Sequence, residues 1–422
     1  MTQPLLDLSA RFDNAFVRPE GGRRHLIVEL TPTQTQSISV APRRPLELAL
    51  VVDASGSMSG PKLEAVKQAV QLLAQRLEAD DCVSLVSFAN DICVHANSTL
   101  MNPEGRQAIL TEASRLRTRG NTNLSGGWLA GVELALAKSA SGRRLAVVLL
   151  SDGHANEGIT NAVELAKLAK ATAQQGAVTT CVGVGADYST DQLGAIAEGA
   201  GGRFHHANDP EAIVQILTGE LGELGSMTAE QVELGVTVPS TVTLQAFAAT
   251  SRQTAHTHHI SLGSLYAGLR RTVVCALQLP ELAEGTELRL PIMVSGVQVA
   301  TGMRFHQECQ VHLTVSSTQM GEISAADAVI VTQQAAYWLG RAAAMRNEAG
   351  DYAEVRRMRR HMATEMENYT AHSPQAARIW QVMDAEVSLA EAPLDPMIQK
   401  EMYIRSLKGG RQERDLRRRD NS

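Results

Sequence analysis

The feature that most constrains the fold of this 422-residue chain is a regular alternation of short apolar runs and amphipathic stretches, from about residue 45 to residue 222. Runs such as ALVV and AVVLL are continuously apolar, which is typical of strands covered by helices on both faces. The stretches between the runs, such as PKLEAVKQAVQLLAQRL and VELAKLAKATAQQ, have helical periodicity. This alternation predicts an α/β fold with a doubly wound, mostly parallel, Rossmann-like sheet. The segment DICVHAN can add an antiparallel edge hairpin to it.

The sequence on either side of this region has a different character. Between residues 230 and 316, patterns such as VELGVTVP and CQVHLTVSS are typical of strands in an antiparallel β-sandwich. The segments RRHLIVELTP and TQSISVAP, within residues 8–42, have the same pattern. We therefore expect strands in residues 1–44 to pair with a β-sandwich in residues 225–320. The α/β domain of residues 45–224 would then be inserted into one β domain.

Helical patterns begin after Ser324 and predict a C-terminal helical segment over residues 321–402. Gly350 suits the end of one helix and Asp351 the start of the next, so these residues are expected to join a helical hairpin. The remaining residues, 403–422, carry seven Lys or Arg and three acids. We expect this basic tail to be a solvated end, and contact with an acidic partner is the less favoured alternative.

Charge and cysteine content disfavour several classes of protein. The formal net charge of -6 gives no overall electrostatic basis for binding nucleic acid or an anionic membrane. The five cysteines are widely spaced and form no CxxC motif, so neither a disulfide framework nor structural zinc is expected. No apolar run is long enough to cross a bilayer, and the N-terminus does not resemble a secretion signal. We therefore expect a cytoplasmic, reduced protein without a membrane span.

Polar residues follow the ends of the apolar strands, where a ligand site is expected in an open α/β sheet. Asp53, Ser55 and Ser57 lie in DASGS, directly after LELALVV. Thr122 lies in GNTN, ahead of the helical stretch GGWLAGVELALA, and Asp152 lies in SDG, after AVVLL. We expect these five side chains to share one site. Carboxylate and hydroxyl oxygens without thiolate or imidazole suit a hard cation such as Mg²⁺.

In their order and position, DASGS, GNTN and SDG resemble the metal-ion-dependent adhesion site of von Willebrand factor A domains. The resemblance implies that Asp53, Ser55 and Ser57 are the first-loop ligands of a divalent metal, directly or through water. It further implies that Thr122 is the second-loop ligand and Asp152 the third-loop ligand. The metal would be Mg²⁺, with Mn²⁺ or Ca²⁺ as alternatives.

The same resemblance implies a binding module that is not an enzyme. The last coordination place of the metal would be left to an Asp or Glu of a partner protein, and the chain would act as a scaffold or regulatory subunit. The flanking segments are more loosely similar to bacterial von Willebrand factor A proteins related to inter-alpha-trypsin inhibitor heavy chains. The stretch GSLYAGLRRTVVCALQLP carries that similarity.

Two alternative interpretations use other residues. A metal-dependent phosphohydrolase could use Asp53, His154 and the cation, although the sequence has neither the GxSxG elbow of serine hydrolases nor the GxxxxGK[ST] loop of P-loop ATPases. A second metal site could use His256, His258 and His259, of which the first two would share a strand face. A surface cluster that arose by chance is the favoured interpretation of these histidines.

Overall fold

The computed structural model describes residues 5–33, 44–185, 187–207, 209–248, 251–319, 321–407 and 413–414. The chain divides into two compact units. One unit is continuous and comprises residues 39–227, and the other combines residues 1–38 with residues 228–422. The predicted strand TQSISVAP, residues 35–42, lies outside the described residues.

The strands in the described residues are, in chain order, β1 (Leu6–Phe12), β2 (Phe16–Val17), β3 (Gly22–Pro32), β4 (Leu46–Asp53), β5 (Cys82–Phe88), β6 (Ile92–Leu100), β7 (Arg144–Ser151), β8 (Ala177–Val184), β9 (Phe204–Ala207), β10 (Met227–Thr237), β11 (Thr243–Ala246), β12 (Ser251–Thr254), β13 (Thr257–Tyr266), β14 (Leu269–Leu279), β15 (Glu287–Gln298), β16 (Arg304–Val315) and β17 (Glu413–Arg414). The α-helices there are α1 (Pro61–Arg76), α2 (Pro103–Ser114), α3 (Leu124–Leu136), α4 (Ala162–Gln174), α5 (Thr190–Gly199), α6 (Pro210–Gly225), α7 (Ala325–Glu348), α8 (Tyr352–His372), α9 (Pro374–Leu389) and α10 (Pro396–Ser406).

The unit of residues 39–227 is built on one sheet with the strand order β6-β5-β4-β7-β8-β9. The strands from β5 to β9 along this order run parallel, and β6 pairs antiparallel with β5 at the edge. Every residue of β4, β5 and β8 is buried, because helices cover both faces of the sheet. The predicted doubly wound sheet and its edge hairpin are confirmed. Helices α2 and α6 were not recognised in the sequence.

Helix α3 approaches the sheet closely because two of its residues have no side chain. A Cβ atom on Gly127 would lie 2.3 Å from Phe88 Cγ, and one on Gly131 would lie 2.2 Å from Val51 Cγ2. The ring of Trp128 is fully buried between these glycines, and its Nε1 donates a hydrogen bond to Thr179 Oγ1 at 3.1 Å. This packing fixes the start of α3, and with it the loop that carries Thr122.

The other unit contains two sheets that share one core. Their strand orders are β1-β3-β14-β11, with β17 beside β14, and β12-β13-β10-β15-β16-β2. Side chains from both sheets, such as Val28 of β3 and Ile292 of β15, belong to a single buried cluster. Strand β3 pairs antiparallel with β14, as expected for N-terminal strands that complete a later sandwich. Strand β2 differs from the antiparallel prediction because it pairs parallel with β16.

The C-terminal helices form the predicted hairpin. Gly350 follows α7 with a φ of 74°, a conformation that glycine adopts without strain. Asp351 Oδ1 then accepts a hydrogen bond from the Glu354 amide at 3.2 Å and caps α8. No helix within the described residues is long and apolar enough to cross a membrane.

The predicted start of the basic tail at Tyr403 is wrong. Helix α10 begins at Pro396, after the capping residue Asp395, and continues through Ser406. The ring of Tyr403 is only 2% exposed, and the Arg341 guanidinium lies 5.5 Å from its centroid. Packing of this aromatic ring keeps the first residues of the predicted tail folded. Beyond Leu407, the tail lies outside the described residues except for β17.

Candidate metal centre

The ends of two neighbouring strands bring Asp53 and Asp152 close together. Strands β4 and β7 are parallel, with Val52 opposite Leu150. Asp53 and Asp152 therefore lie together at the carboxyl ends of these strands. Both carboxylates are fully buried. Burial raises the pKa of Asp53, and the nearby charge of Asp152 also raises it, while hydrogen bonds from Ser151 and Ser55 act in the opposite direction. Two buried carboxylates repel each other when both are ionised, and a bound cation stabilises the pair.

The first loop connects these carboxylates through its serines. Asp53 Oδ1 accepts a hydrogen bond from the Ser55 amide at 2.8 Å. The hydroxyl oxygens of Ser55 and Ser57 lie 3.0 Å apart, and Ser57 Oγ donates to Asp152 Oδ1 at 2.6 Å. The side chain of Met58, in the 3-10 turn that ends this loop, is fully buried and anchors it. Four of the five predicted residues are therefore joined by one continuous chain of hydrogen bonds.

Thr122, the fifth predicted residue, lies at the edge of this chain rather than within it. Its amide donates to Asn156 Oδ1 at 3.2 Å, and the Asn156 amide donates back to the Thr122 carbonyl at 3.3 Å. A Cβ atom on Gly153 would lie 3.3 Å from Thr122 Oγ1, so this hydroxyl is beside the residue that follows Asp152.

Backbone hydrogen bonds also hold the second loop to the first. The Arg119 amide donates to the Ala54 carbonyl at 2.6 Å, and the Gly56 amide donates to the Gly120 carbonyl at 3.2 Å. With the Asn156 contacts, these bonds connect all three loops to one another. Hydrogen bonds between the loops therefore fix the backbone positions of Ser55, Ser57 and Thr122, and with them the positions of their hydroxyls.

Ser151 is a site residue that sequence reasoning missed. It is the last residue of β7 and is fully buried, and its hydroxyl donates to Asp53 Oδ2 at 2.5 Å. Both oxygens of Asp53 therefore accept a hydrogen bond. The SDG motif contains this serine, next to Asp152, so the sequence held a signal for it.

Lys62 is the second missed residue. It lies in the first turn of α1, and its ammonium forms an ion pair and hydrogen bond with Asp152 Oδ2. The side chain of Lys62 is 29% exposed, whereas that of Asp152 is fully buried. No motif singled out this lysine, and its proximity to Asp152 becomes evident only from the packing of α1 over the strand ends.

The donor set of the site suits a hard cation. Two carboxylates and the hydroxyls of Ser55, Ser57 and Thr122 supply only oxygen ligands. Among the described residues, no group of three His, Cys, Asp or Glu side chains is placed to hold a metal. A metal at the carboxyl ends of these strands therefore depends on the hydroxyls beside the two carboxylates.

His154, the residue on which the phosphohydrolase alternative depends, lies two residues after Asp152 and is exposed.

The histidine cluster is arranged differently from the prediction. His256 lies in the turn between β12 and β13, so it does not share a strand face with His258. His258 is buried on β13, while His259 contacts Glu233 Oε1 through Nδ1 at 2.7 Å and Thr254 Oγ1 through Nε2 at 2.8 Å. The turn interrupts the strand alternation on which the prediction depended.

Residues 47–219 match the family model of the von Willebrand factor type A domain. Two solved structures of similar architecture cover nearly the whole chain. The von Willebrand factor type A protein from Catenulispora acidiphila has a TM-score of 0.69 and 16% identity, with 96% of each chain covered. The ArnB paralog VWA2 from Sulfolobus acidocaldarius has a TM-score of 0.62 and 15% identity, covering 97% of this chain and 100% of that one. At such identities the matches show a shared fold.

Two relatives illustrate the similarity in sequence. An uncharacterized protein of Synechocystis sp. is 28% identical over 256 residues, which are 58% of this chain and 59% of the relative. Human inter-alpha-trypsin inhibitor heavy chain H3 is 31% identical over 130 residues, which are 29% of this chain and 14% of the relative. The chain thus covers less than two thirds of either relative. The von Willebrand factor type A match supports a protein-interaction module as the functional class of this domain. The chain carries a von Willebrand factor type A domain over residues 47–219.

Proposed function

We propose that the von Willebrand factor type A domain holds a divalent cation, preferably Mg²⁺, through Asp53, Ser55, Ser57, Thr122 and Asp152, and uses it to capture an Asp or Glu of a partner protein. The observation that carries the proposal is the continuous hydrogen-bonded chain from Asp53 through Ser55 and Ser57 to Asp152. A bound Mg²⁺ supplies a hard electrophilic centre that accepts an anionic oxygen from outside the domain.

Each residue of the site has a separate task in this proposal. Asp53 and Asp152 supply the negative charge, and Ser151 holds the orientation of Asp53 through its hydrogen bond to Oδ2. Asn156 holds the backbone of Thr122 through two hydrogen bonds. Side chains fixed in this way lose little conformational entropy when a ligand binds, which favours affinity.

The charge of the site favours capture over catalysis. Two ionised carboxylates balance the charge of a divalent cation, so a partner carboxylate can replace a bound water without redox or proton chemistry. The ligand hydroxyls of Ser55 and Thr122 are at the sheet edge and are not part of an apolar core. Their removal should therefore reduce binding more than folding.

A pull-down from native lysate with the full chain tests the proposal. We expect a partner that is retained in Mg²⁺ and released by EDTA, and whose retention is lost in Asp53→Ala and weakened in Ser55→Ala and Thr122→Ala. Ser139→Ala is a matched control because Ser139 is an exposed serine that precedes β7, at the amino end of that strand. The candidate site is at the carboxyl end. Retention that survives both EDTA and Asp53→Ala, with unchanged thermal unfolding, would place the interface elsewhere.

The competing phosphohydrolase hypothesis is tested with the same protein. If the purified chain hydrolyses a generic phosphate ester in a Mg²⁺-dependent way, and His154→Ala abolishes the turnover, the site would be catalytic. We expect no metal-dependent turnover above background in the wild type or in His154→Ala.

A further inference from the structure

We propose that Lys62 is a built-in counter-ion that competes with the divalent cation for Asp152, and so sets the cation concentration at which the site is loaded. The inference rests on the proposed function, because it assumes that Asp152 is a metal ligand. It adds a residue that regulates the metal site and that does not belong to the ligand set.

Both oxygens of Asp152 already have a partner within the chain. Ser57 Oγ donates to Oδ1 at 2.6 Å, and the Lys62 ammonium contacts Oδ2. A neutral hydroxyl can stay beside a carboxylate that also binds a metal, but an ammonium adds a positive charge at the same atom. Lys62 therefore opposes the metal, whereas Ser57 does not.

The position of Lys62 depends on two features of the surrounding backbone. Pro61 is the first residue of α1, so Lys62 lies in the first helical turn, close to the strand ends. At the end of β8, a Cβ atom on Gly185 would lie 3.6 Å from Lys62 Nζ. Any larger side chain at that position would occupy space next to the ammonium. Gly185 has a φ of 70°, which favours glycine, and its missing Cβ would be in ordinary van der Waals contact with the ammonium.

The two partners of this ion pair differ in their freedom to separate. Asp152 is fully buried at the end of a central strand, while the side chain of Lys62 is 29% exposed. A long lysine side chain can withdraw its ammonium into water, but the carboxylate cannot leave the site. An incoming divalent cation can therefore displace the ammonium from Asp152 without a rearrangement of the sheet.

The charge balance gives this exchange two consequences. With Lys62 in place, Asp53, Asp152 and the ammonium sum to one negative charge, and without it they sum to two. Lys62 should thus stabilise the metal-free fold, because an unpaired buried carboxylate is strongly destabilising. It should also weaken metal binding, by about tenfold with water-like screening, because the cation must separate the Lys62 ammonium from Asp152 Oδ2 before it can bind there.

Calorimetric titration of MgCl₂ into the full chain tests the proposal with matched variants. Lys62→Met removes the charge and keeps most of the side-chain volume, and we expect it to bind Mg²⁺ about tenfold more tightly than the wild type. Lys62→Arg keeps the charge and should bind like the wild type. Lys67→Met is the control on the same helix, because the Lys67 ammonium contacts Glu64 Oε1 at 2.8 Å instead of Asp152.

Thermal unfolding gives a second readout that does not depend on affinity. In EDTA, Lys62→Met should unfold at a lower temperature than the wild type, and saturating Mg²⁺ should remove the difference. If Lys62→Met does not fold in EDTA but folds in Mg²⁺, that result supports the counter-ion role. Lys62→Gln, which retains hydrogen-bonding capacity, then replaces it in the titration with the same expected direction.

The failure of this inference is distinguishable from the failure of the proposed function. The inference is overturned if Lys62→Met binds Mg²⁺ no more tightly than the wild type while Asp53→Ala abolishes binding. It is also overturned if Lys62→Arg binds as tightly as Lys62→Met, because charge would then not matter. If neither the wild type nor any Lys62 variant binds Mg²⁺, the proposed metal site itself is wrong.

Discussion

Ser57 donates a hydrogen bond from its hydroxyl to Asp152 Oδ1 at 2.6 Å, although 95 residues separate the two in the sequence. A second bond of this kind joins Ser151 to Asp53 Oδ2 across 98 residues. Both bonds exist because β4 and β7 are adjacent parallel strands whose carboxyl ends lie side by side. The site is thus a product of sheet topology, and its integrity depends on the packing of the α/β unit.

The first prediction concerns the independence of that unit. A fragment of residues 44–227 should fold alone, because it contains every strand of the sheet from β4 to β9 and helices α1–α6. A fragment that begins at Thr228 lacks β1 and β3, and β3 pairs with β14 along most of that strand. We expect the second fragment to lack a cooperative unfolding transition in circular dichroism.

A control for this prediction is to supply residues 1–33 as a separate peptide to the second fragment. Cooperative unfolding that appears only with the peptide would support the split β unit. A fragment from Thr228 that unfolds cooperatively by itself would show that the N-terminal strands are dispensable.

The second prediction concerns the close approach of α3 to the sheet. Gly131→Ala should lower the free energy of unfolding by about 1–3 kcal/mol, because the added methyl group would lie 2.2 Å from Val51 Cγ2 and force a shift of helix or strand. Gly219→Ala is the matched control in an exposed helical position, where no atom lies within 4 Å of the added carbon. It should be neutral or stabilise by up to about 1 kcal/mol. Equal effects of the two substitutions in urea unfolding would contradict this packing.

A buried histidine in the other unit carries a pH-dependent contribution to stability. His25 is 1% exposed, and its Nε2 lies 2.7 Å from Glu365 Oε1 while its Nδ1 lies 2.5 Å from the Tyr369 hydroxyl. Asp13 Oδ2 lies 3.9 Å from Nδ1, and Arg23 contacts the same Glu365 oxygen at 2.7 Å. Burial alone lowers the pKa of His25, but Asp13 and Glu365 together outweigh it, so the pKa is raised.

The third prediction follows from the sign of that shift. The folded pKa of His25 lies above the unfolded value of about 6.5, so the protonated ring stabilises the fold fully below about pH 6.5. That contribution should be lost as the pH rises through the raised folded pKa. Urea unfolding between pH 5.5 and 9 should show a decline in the wild type that is smaller in His25→Gln. The exposed His306→Gln serves as control, and an undiminished decline in His25→Gln would exclude this histidine as its source.

The strands and the placement of the candidate site residues at the strand ends were predictable because the sequence patterns that indicate them are local. Continuous apolar runs such as those of β4 and β7 indicate buried parallel strands, and the polar residues that follow them in DASGS and SDG indicate the sheet edge where ligands bind. Thr122 was also predictable from its motif. Its two hydrogen bonds with Asn156 were not, because they join loops that are distant in the sequence.

The features that sequence analysis missed depend on packing between distant elements. Lys62 resembles any solvated lysine in the first turn of a helix until α1 is placed over the ends of the strands. The position of Tyr403 was mistaken for the start of a tail because its ring contacts Arg341, 62 residues earlier in α7. His25 follows two arginines and has no motif, and its closest side-chain partners, Glu365 and Tyr369, lie in α8. Periodicity describes one element at a time and does not identify such partners.

The fourth prediction, and the most direct test of the metal site, is calorimetric titration of MgCl₂ and ZnCl₂ into the full-length wild type and Asp53→Ala. We expect one Mg²⁺ per chain in the wild type, no Mg²⁺ binding in Asp53→Ala, and weaker binding of Zn²⁺ than of Mg²⁺ to the wild type, since the donors are all oxygen. Unchanged Mg²⁺ binding in Asp53→Ala, or tighter Zn²⁺ binding unaffected by that substitution, would contradict a divalent cation site at the ends of β4 and β7.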